Sequence, residues 1–116
     1  MKDFPPYFLS SELECKCGCG TGEMNFKFMN KVLLARELFD KPFIITSAYR
    51  CYRHNKMVRG SPKSQHLKGN ALDVSSNGST AYDLVKVFQA VDLKGIGIAK
   101  TFIHVDNREI KALWLY

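Results

Sequence analysis

Two short apolar segments, each interrupted by polar residues, constrain the fold of this chain more than any other feature. Residues 71–75 read Ala-Leu-Asp-Val-Ser, and residues 102–106 read Phe-Ile-His-Val-Asp. Successive side chains of a strand point to opposite faces, so both segments are predicted strands with Leu72 and Val74, or Ile103 and Val105, on the apolar face. An unpaired polar group is costly to bury, so the polar residues on the other face are expected to have partners.

The remaining pattern predicts an α+β fold in one domain, residues 1–116, because a chain of this length supports a single sizeable core. Helices and mostly antiparallel strands are mixed rather than strictly alternating, which indicates a small, mostly antiparallel sheet with helices packed on it. The predicted elements are an irregular segment over 1–24, a helix over Phe28–Phe39 ended by Pro42, a strand over 43–47, a short helix within 49–58, a loop over 59–62, a helix from an N-cap at Thr80 to Val91, and strands over 95–99 and 112–116.

His66, Asp73 and His104 are the residue types of a catalytic zinc site with three protein ligands. Two imidazoles and one carboxylate bind Zn²⁺ and leave the fourth tetrahedral position for water, which predicts a metallohydrolase. Asp106 follows His104 on the same face of its strand, about 7 Å along. It is expected either to orient that histidine or to be the general base that takes a proton from water.

Four motifs stand out: Ser47-Ala48-Tyr49-Arg50, His54-Asn55, Ser64-Gln65-His66-Leu67-Lys68-Gly69-Asn70-Ala71-Leu72-Asp73 and Phe102-Ile103-His104-Val105-Asp106. They resemble the zinc D-Ala-D-Ala carboxypeptidase-like family of peptidoglycan peptidases, and the resemblance spans about Phe8 to Trp114. That family includes bacterial D,D-carboxypeptidases, D-Ala-D-Ala dipeptidases and phage endolysins, and it shares a fold with the amino-terminal domain of hedgehog signalling proteins. The resemblance implies that His66, Asp73 and His104 hold zinc.

The resemblance also implies a substrate role for Arg50, whose planar guanidinium is suited to bind a peptide carboxylate or to stabilise an oxyanion. Ser47 and Gln65 are weaker candidates for hydrogen bonding to the substrate near the metal. His54 is expected either to touch the site or to brace its loop.

One position departs from the family pattern. Many relatives carry Glu or Asp three residues before the last zinc-binding histidine, as the catalytic base, and this chain has Thr101 there. Asp106 is the substitute candidate, so Asp106 and Arg50 are the predicted catalytic residues.

The predicted function is zinc-dependent hydrolysis of amide bonds in peptidoglycan stem peptides, of the D-Ala-D-Ala carboxypeptidase or the L-Ala-D-Glu endopeptidase type. Two alternatives stay open. Thr101 keeps open a zinc-bearing binding module without catalysis, and Cys51 with a histidine keeps open a cysteine peptidase.

The cysteines are Cys15, Cys17, Cys19 and Cys51, three of them in one short cluster. Reduced thiols, disulfides and a second, structural zinc on these four residues are the competing interpretations. We favour a stapling role, in which the cysteines tie the irregular amino-terminal segment to the start of the catalytic half.

Charge and hydropathy set expectations for partners and location. The formal charge of +6 favours polyanionic surroundings, but Lys and Arg are scattered and not interleaved with aromatic residues, so no nucleic-acid partner is expected. No apolar run reaches the roughly 20 residues of a membrane span. The first residues lack an apolar signal core, so synthesis in the cytoplasm without a signal peptide is expected. We expect a monomer that acts on peptidoglycan peptides in the bacterial cell wall, and a phage-encoded lysis protein would fit this combination.

Overall fold

One sheet of five strands organises the fold in the computed structural model, which describes residues 2–116. The strands are β1 (Ile45–Ser47), β2 (Ala71–Ser75), β3 (Gly95–Ile98), β4 (Phe102–Asp106) and β5 (Ala112–Leu115). The helices are α1 (Ser10–Leu13), α2 (Phe26–Phe39), α3 (Tyr52–Met57) and α4 (Gly78–Ala90), and a 3₁₀ turn covers Gln65–Lys68.

The strand order is β1-β2-β4-β3-β5, which places β2 and β4 side by side in the interior of the sheet. The pairs β1·β2, β2·β4 and β3·β4 are antiparallel, and β3·β5 is parallel. In the β2·β4 register Asp73 lies directly opposite His104. Opposite residues of an antiparallel pair project to the same face, so this register brings two of the candidate ligands together.

The other face of the sheet packs on the core. Leu72, Val74, Ile103 and Val105 are buried there, as the alternation in β2 and β4 predicts. Helices α2 and α4 contact each other, and α4 contacts β4. Their buried side chains include Phe28, Met29, Val32, Ala35, Leu84 and Phe88. Because both central strands lie on this packed layer, the opposite face is held rigidly enough to position polar side chains.

The α+β class is confirmed, with a mixed sheet that has one parallel pair. The sequence-based bounds of β2 and β4 agree with the structure. Within the segment predicted to be irregular, Ser10–Leu13 forms one helical turn whose Leu13 is buried, while Met1 lies outside the described residues. No helix among residues 2–116 is long and apolar enough to cross a membrane.

The predicted N-cap of α4 was wrong, because the N-cap residue is Asn77 rather than Thr80. The Asn77 side chain accepts a hydrogen bond from the backbone N–H of Thr80 (3.2 Å), and the Thr80 hydroxyl accepts one from the backbone N–H of Asn77 (2.8 Å). This reciprocal arrangement is a capping box, in which Thr80 serves as the third helical residue.

Candidate metal centre and its cleft

Three candidate ligands converge above the β2·β4 pair. His66 comes from the 3₁₀ turn, Asp73 from β2 and His104 from β4, and all three side chains are buried. Asp73 Oδ1 lies 3.2 Å from His66 Nε2 and 3.0 Å from His104 Nδ1. One ligand atom from each residue lies within 4.8 Å of the others. This spacing allows all three to bind one ion.

The second ring nitrogen of each histidine fixes which nitrogen faces the centre. His66 Nδ1 lies 2.6 Å from the carbonyl oxygen of Ala48, which can only accept, so Nδ1 carries the proton. His104 Nε2 lies 2.7 Å from Asp106 Oδ2 and donates to that carboxylate in the same way. In the neutral form of each imidazole, the nitrogen without a proton, His66 Nε2 or His104 Nδ1, therefore faces Asp73 and is available to a metal ion. Two neutral imidazole nitrogens and one carboxylate are a donor set that fits zinc.

The ionisation of Asp73 and His104 is coupled. Burial alone would raise the pKa of Asp73, but hydrogen bonds with His104 and His66 outweigh it and hold that pKa well below its usual range. Burial alone would lower the pKa of His104, but hydrogen bonds with Asp106 and Asp73 raise it. In the metal-free protein a proton therefore competes for the place that a metal ion would take.

Asp106 is enclosed rather than open to the cleft. Its side chain is fully buried and accepts hydrogen bonds from His104 Nε2, from Arg108 Nε (2.8 Å) and Nη2 (2.6 Å), and from the Arg108 backbone N–H (3.1 Å). A side-chain carbon on Gly95 would collide with this carboxylate. Burial alone would raise the pKa of Asp106, but the bonds from Arg108 and His104 hold it well below its usual range. Of the two roles expected for Asp106, this geometry favours orienting His104.

Arg50 is held beside the candidate ligands. Its Nη1 donates to Asn55 Oδ1 (2.9 Å), its Nη2 donates to Ser47 Oγ (3.3 Å), and Nη2 lies 3.8 Å from Asp73 Oδ2. A side-chain carbon on Gly60 would lie 2.8 Å from Arg50 Nη1, so the loop approaches the guanidinium closely only because this residue is glycine. The guanidinium is thus fixed in place before any substrate binds.

The weaker sequence candidates take supporting positions. Ser47 accepts a hydrogen bond from Arg50, and Gln65 lines the cleft while its Oε1 accepts from Asn70 Nδ2 (2.8 Å). The backbone N–H of His54 donates to Cys51 Sγ (3.3 Å), and His54 is not among the residues that line the cleft.

The candidate ligands lie at the floor of an open cleft of about 780 Å³. Among its lining residues Asp73 is the only carboxylate, and Thr101 is not part of the lining. The lining residues are Arg50, Val58, Arg59, Gly60, Ser61, Lys63, Ser64, Gln65, His66, Asp73, Phe102, His104, Arg108, Trp114 and Tyr116. Arg108 in this set is paired with Asp106, and the other three cations, Arg50, Arg59 and Lys63, favour an anionic ligand.

Trp114 and Tyr116 form an aromatic wall of the cleft that sequence reasoning missed. The Trp114 ring centre lies 5.3 Å from that of His104, and the Arg108 guanidinium lies 4.6 Å above the Trp114 ring. The alternation in residues 112–116 places both aromatic residues on one face of a strand. It does not reveal that β5 pairs in parallel with β3, which brings this face beside His104.

A family model described as Peptidase M15 matches residues 6–106. The chain belongs to the Peptidase M15 family. The match includes the three candidate ligands and Arg50, and it confirms the family resemblance carried by the sequence motifs. A comparison with curated proteins found no match. Membership implies a zinc metallopeptidase, and the converging donor set is consistent with that activity.

Proposed function

We propose that this protein hydrolyses amide bonds in peptidoglycan stem peptides with one catalytic zinc ion. The observation that carries the proposal is the convergence of two imidazole lone pairs and the Asp73 carboxylate at the floor of a cleft, beside a fixed guanidinium. His66 Nε2, Asp73 and His104 Nδ1 are the proposed ligands. Zinc bound there would supply Lewis-acid chemistry, lowering the pKa of water toward about 7 and polarising an amide carbonyl.

Arg50 is the proposed substrate anchor. Its guanidinium reaches the candidate ligands on one side and is held on the other by Asn55 and Ser47. Preorganised donors stabilise developing negative charge without reorganisation, and a guanidinium also binds carboxylates through two parallel hydrogen bonds. Stem peptides carry free carboxylates, so Arg50 with the neighbouring Arg59 and Lys63 suits this class of substrate. Both the D-Ala-D-Ala carboxypeptidase and the L-Ala-D-Glu endopeptidase types are compatible with this anchor.

Asp106 is proposed to act through His104 rather than on the substrate. It accepts the His104 Nε2–H, which keeps Nδ1 free for the metal and raises the basicity of that ligand. Arg108 neutralises the buried carboxylate from the other side. The side chain is sealed from the cleft, so a proton released from water is proposed to leave through the open cleft to solvent.

A zinc-bearing binding module without catalysis is the second candidate. The observation that favours it is that the cleft lining described here has no carboxylate besides Asp73 to serve as a base. The cysteine peptidase alternative has less support, since Cys51 is not among the lining residues and its sulfur lies 3.8 Å from that of Cys17.

The test is digestion of purified peptidoglycan, followed by assay of new amino groups and mass analysis of the released peptides. Wild type, chelator-treated and zinc-restored protein are compared with Asp73→Asn and with Asp83→Asn, which removes an exposed carboxylate from α4. We expect new amino groups only from zinc-loaded wild type and Asp83→Asn. No release from any sample would favour the binding module, and release by Asp73→Asn would overturn the proposed ligand set. The peptide masses identify the bond cleaved.

The bacterial cell wall is the proposed place of action. If the protein is an endolysin, as the family resemblance suggested, purified protein added to cells with exposed peptidoglycan should lower their turbidity, and Asp73→Asn should not.

A further inference from the structure

A second cluster of metal-ligating side chains lies apart from the cleft. Cys15, Cys17 and Cys19 lie in the loop that follows α1, and Cys51 caps the amino end of α3. The four sulfur atoms lie within 4.8 Å of one another. All four are free cysteines, and none of them lines the cleft that contains His66, Asp73 and His104.

We propose that these four cysteines bind a structural zinc ion as thiolates. A tetrahedral site with Zn–S bonds of about 2.3 Å has sulfur-to-sulfur edges of about 3.8 Å, from the geometry of a tetrahedron. The separation is 3.4 Å between Cys15 and Cys17 and 3.8 Å between Cys17 and Cys51. These two separations, and the 4.8 Å limit on the others, are compatible with the corners of one zinc site, and four sulfur ligands leave no open position for chemistry.

Backbone N–H groups point at two of these sulfur atoms. The Cys51 N–H donates to Cys15 Sγ (3.4 Å), and the His54 N–H donates to Cys51 Sγ (3.3 Å). Such donors stabilise a thiolate, the form that binds a metal. Gly18 and Gly20 both have positive φ (82° and 72°), which lets the loop turn between its cysteines at no steric cost.

The middle of this loop packs little against the core, although Cys15 and Met24 near its two ends are buried. Residues 14–25 contain no helix or strand, and Cys19 is exposed while Cys17 is only partly buried. A closed metal site contributes folding free energy directly where a core is lacking. Here it would tie this loop to Cys51, the neighbour of Arg50. Two other backbone bonds tie the ends of this segment to the rest of the chain, from Tyr49 N–H to the carbonyl of Leu13 (3.1 Å) and from Asn25 N–H to the carbonyl of Gly69 (2.8 Å).

The proposed ion therefore has a consequence for the cleft. Arg50 lies between Tyr49, which is bonded to the α1 segment, and Cys51, which is a proposed ligand. Loss of the ion would loosen the backbone on that side of Arg50, while Asp73 and His104 lie in β2 and β4 and His66 keeps its bond to the carbonyl of Ala48. We expect such a loss to weaken substrate binding more than binding of zinc by the cleft.

The test is zinc quantitation and X-ray absorption at the zinc edge on the full chain, purified under reducing conditions. The double variant His66→Ala/His104→Ala should keep one zinc per chain with only sulfur neighbours, at about 2.3 Å. The double variant Cys17→Ser/Cys19→Ser should keep one zinc with only nitrogen and oxygen neighbours. Lys16→Ser, which changes the same loop but removes no sulfur, should keep both.

A His66→Ala/His104→Ala protein without zinc, or with zinc that has no sulfur neighbours, would overturn the proposal. A mass showing that the cysteines are paired in disulfides in freshly purified wild type would also overturn it. If the cysteine variant does not fold, the histidine variant still decides, because its cysteines are intact. The sulfur signal does not depend on peptidase activity, so this proposal and the proposed function can fail separately.

Discussion

Replacing Asp106 by Asn separates the two roles that this residue could have. The side chains are nearly equal in size, so the enclosed pocket beside Gly95 stays filled. An amide, however, presents N–H groups where His104 Nε2 and Arg108 both donate to the carboxylate. One donor must then face another donor, and the Arg108 cation loses its buried partner.

The magnitude follows from these contacts. Hydrogen bonds to a charged group contribute about 1.5–3 kcal/mol each, and removing one member of a buried ion pair costs about 3–5 kcal/mol. Arg108 is only partly buried and can turn toward solvent, so we expect the lower end, about 3 kcal/mol in the free energy of unfolding. Loss of a partner that orients a metal ligand typically lowers metal affinity by about 10–100-fold.

The assay is zinc affinity by competition with a chelator, together with turnover at saturating zinc. If Asp106 orients His104, Asp106→Asn binds zinc about 10–100-fold more weakly and recovers much of its turnover when zinc is in excess. Glu109→Gln, which neutralises an exposed carboxylate nearby, serves as the control and should match wild type. Unchanged zinc affinity with turnover abolished at saturating zinc would refute the orienting role and restore Asp106 as the base.

Three further predictions concern the cleft. Arg50→Lys should lower kcat/KM by about 10²–10³-fold with zinc content unchanged, because the planar guanidinium fork is lost. The control is Arg53→Lys, which changes an exposed arginine. Equal activity of the two variants would count against Arg50 as the substrate anchor. Trp114→Ala should raise KM more than it lowers kcat, and unchanged kinetics would remove this wall from the substrate site. In metal-free protein the raised pKa of His104, which faces Asp73 and Asp106, contributes stability that is present below about pH 6.5 and lost as pH rises. As pH rises above about 6.5, through the raised pKa of His104, the Tm of metal-free wild type should therefore fall more steeply than that of His104→Gln, and equal slopes would contradict this.

The parts of the fold that sequence predicts well are those in which one local pattern decides the outcome. Strands β2 and β4 were predicted with their observed bounds, because alternation over five residues fixes both the strand and its buried face. Two of the three candidate ligands follow from the same alternation, since Asp73 and His104 lie on the face of each strand that points away from the core, whereas His66 lies in a 3₁₀ turn. Their actual proximity depends on the β2·β4 register, which no single segment encodes.

The parts that were missed depend on long-range pairing or on a competing local signal. The enclosure of Asp106 requires Arg108 to fold back after β4 ends, and this turn has no distinct sequence signature. Trp114 reaches the cleft only through the parallel β3·β5 pairing. The N-cap of α4 was misplaced because Asn77 and Thr80 both favour caps, and they turn out to cap each other.

Anomalous diffraction at the zinc edge, from crystals of zinc-loaded protein, tests the central claim most directly. We expect a peak in the cleft about 2.0–2.1 Å from both His66 Nε2 and His104 Nδ1, and about 2.0–2.2 Å from an Asp73 oxygen. A cleft without a peak, or a peak bound through His104 Nε2 instead of Nδ1, would contradict the proposed metal centre and the orienting role of Asp106 with it.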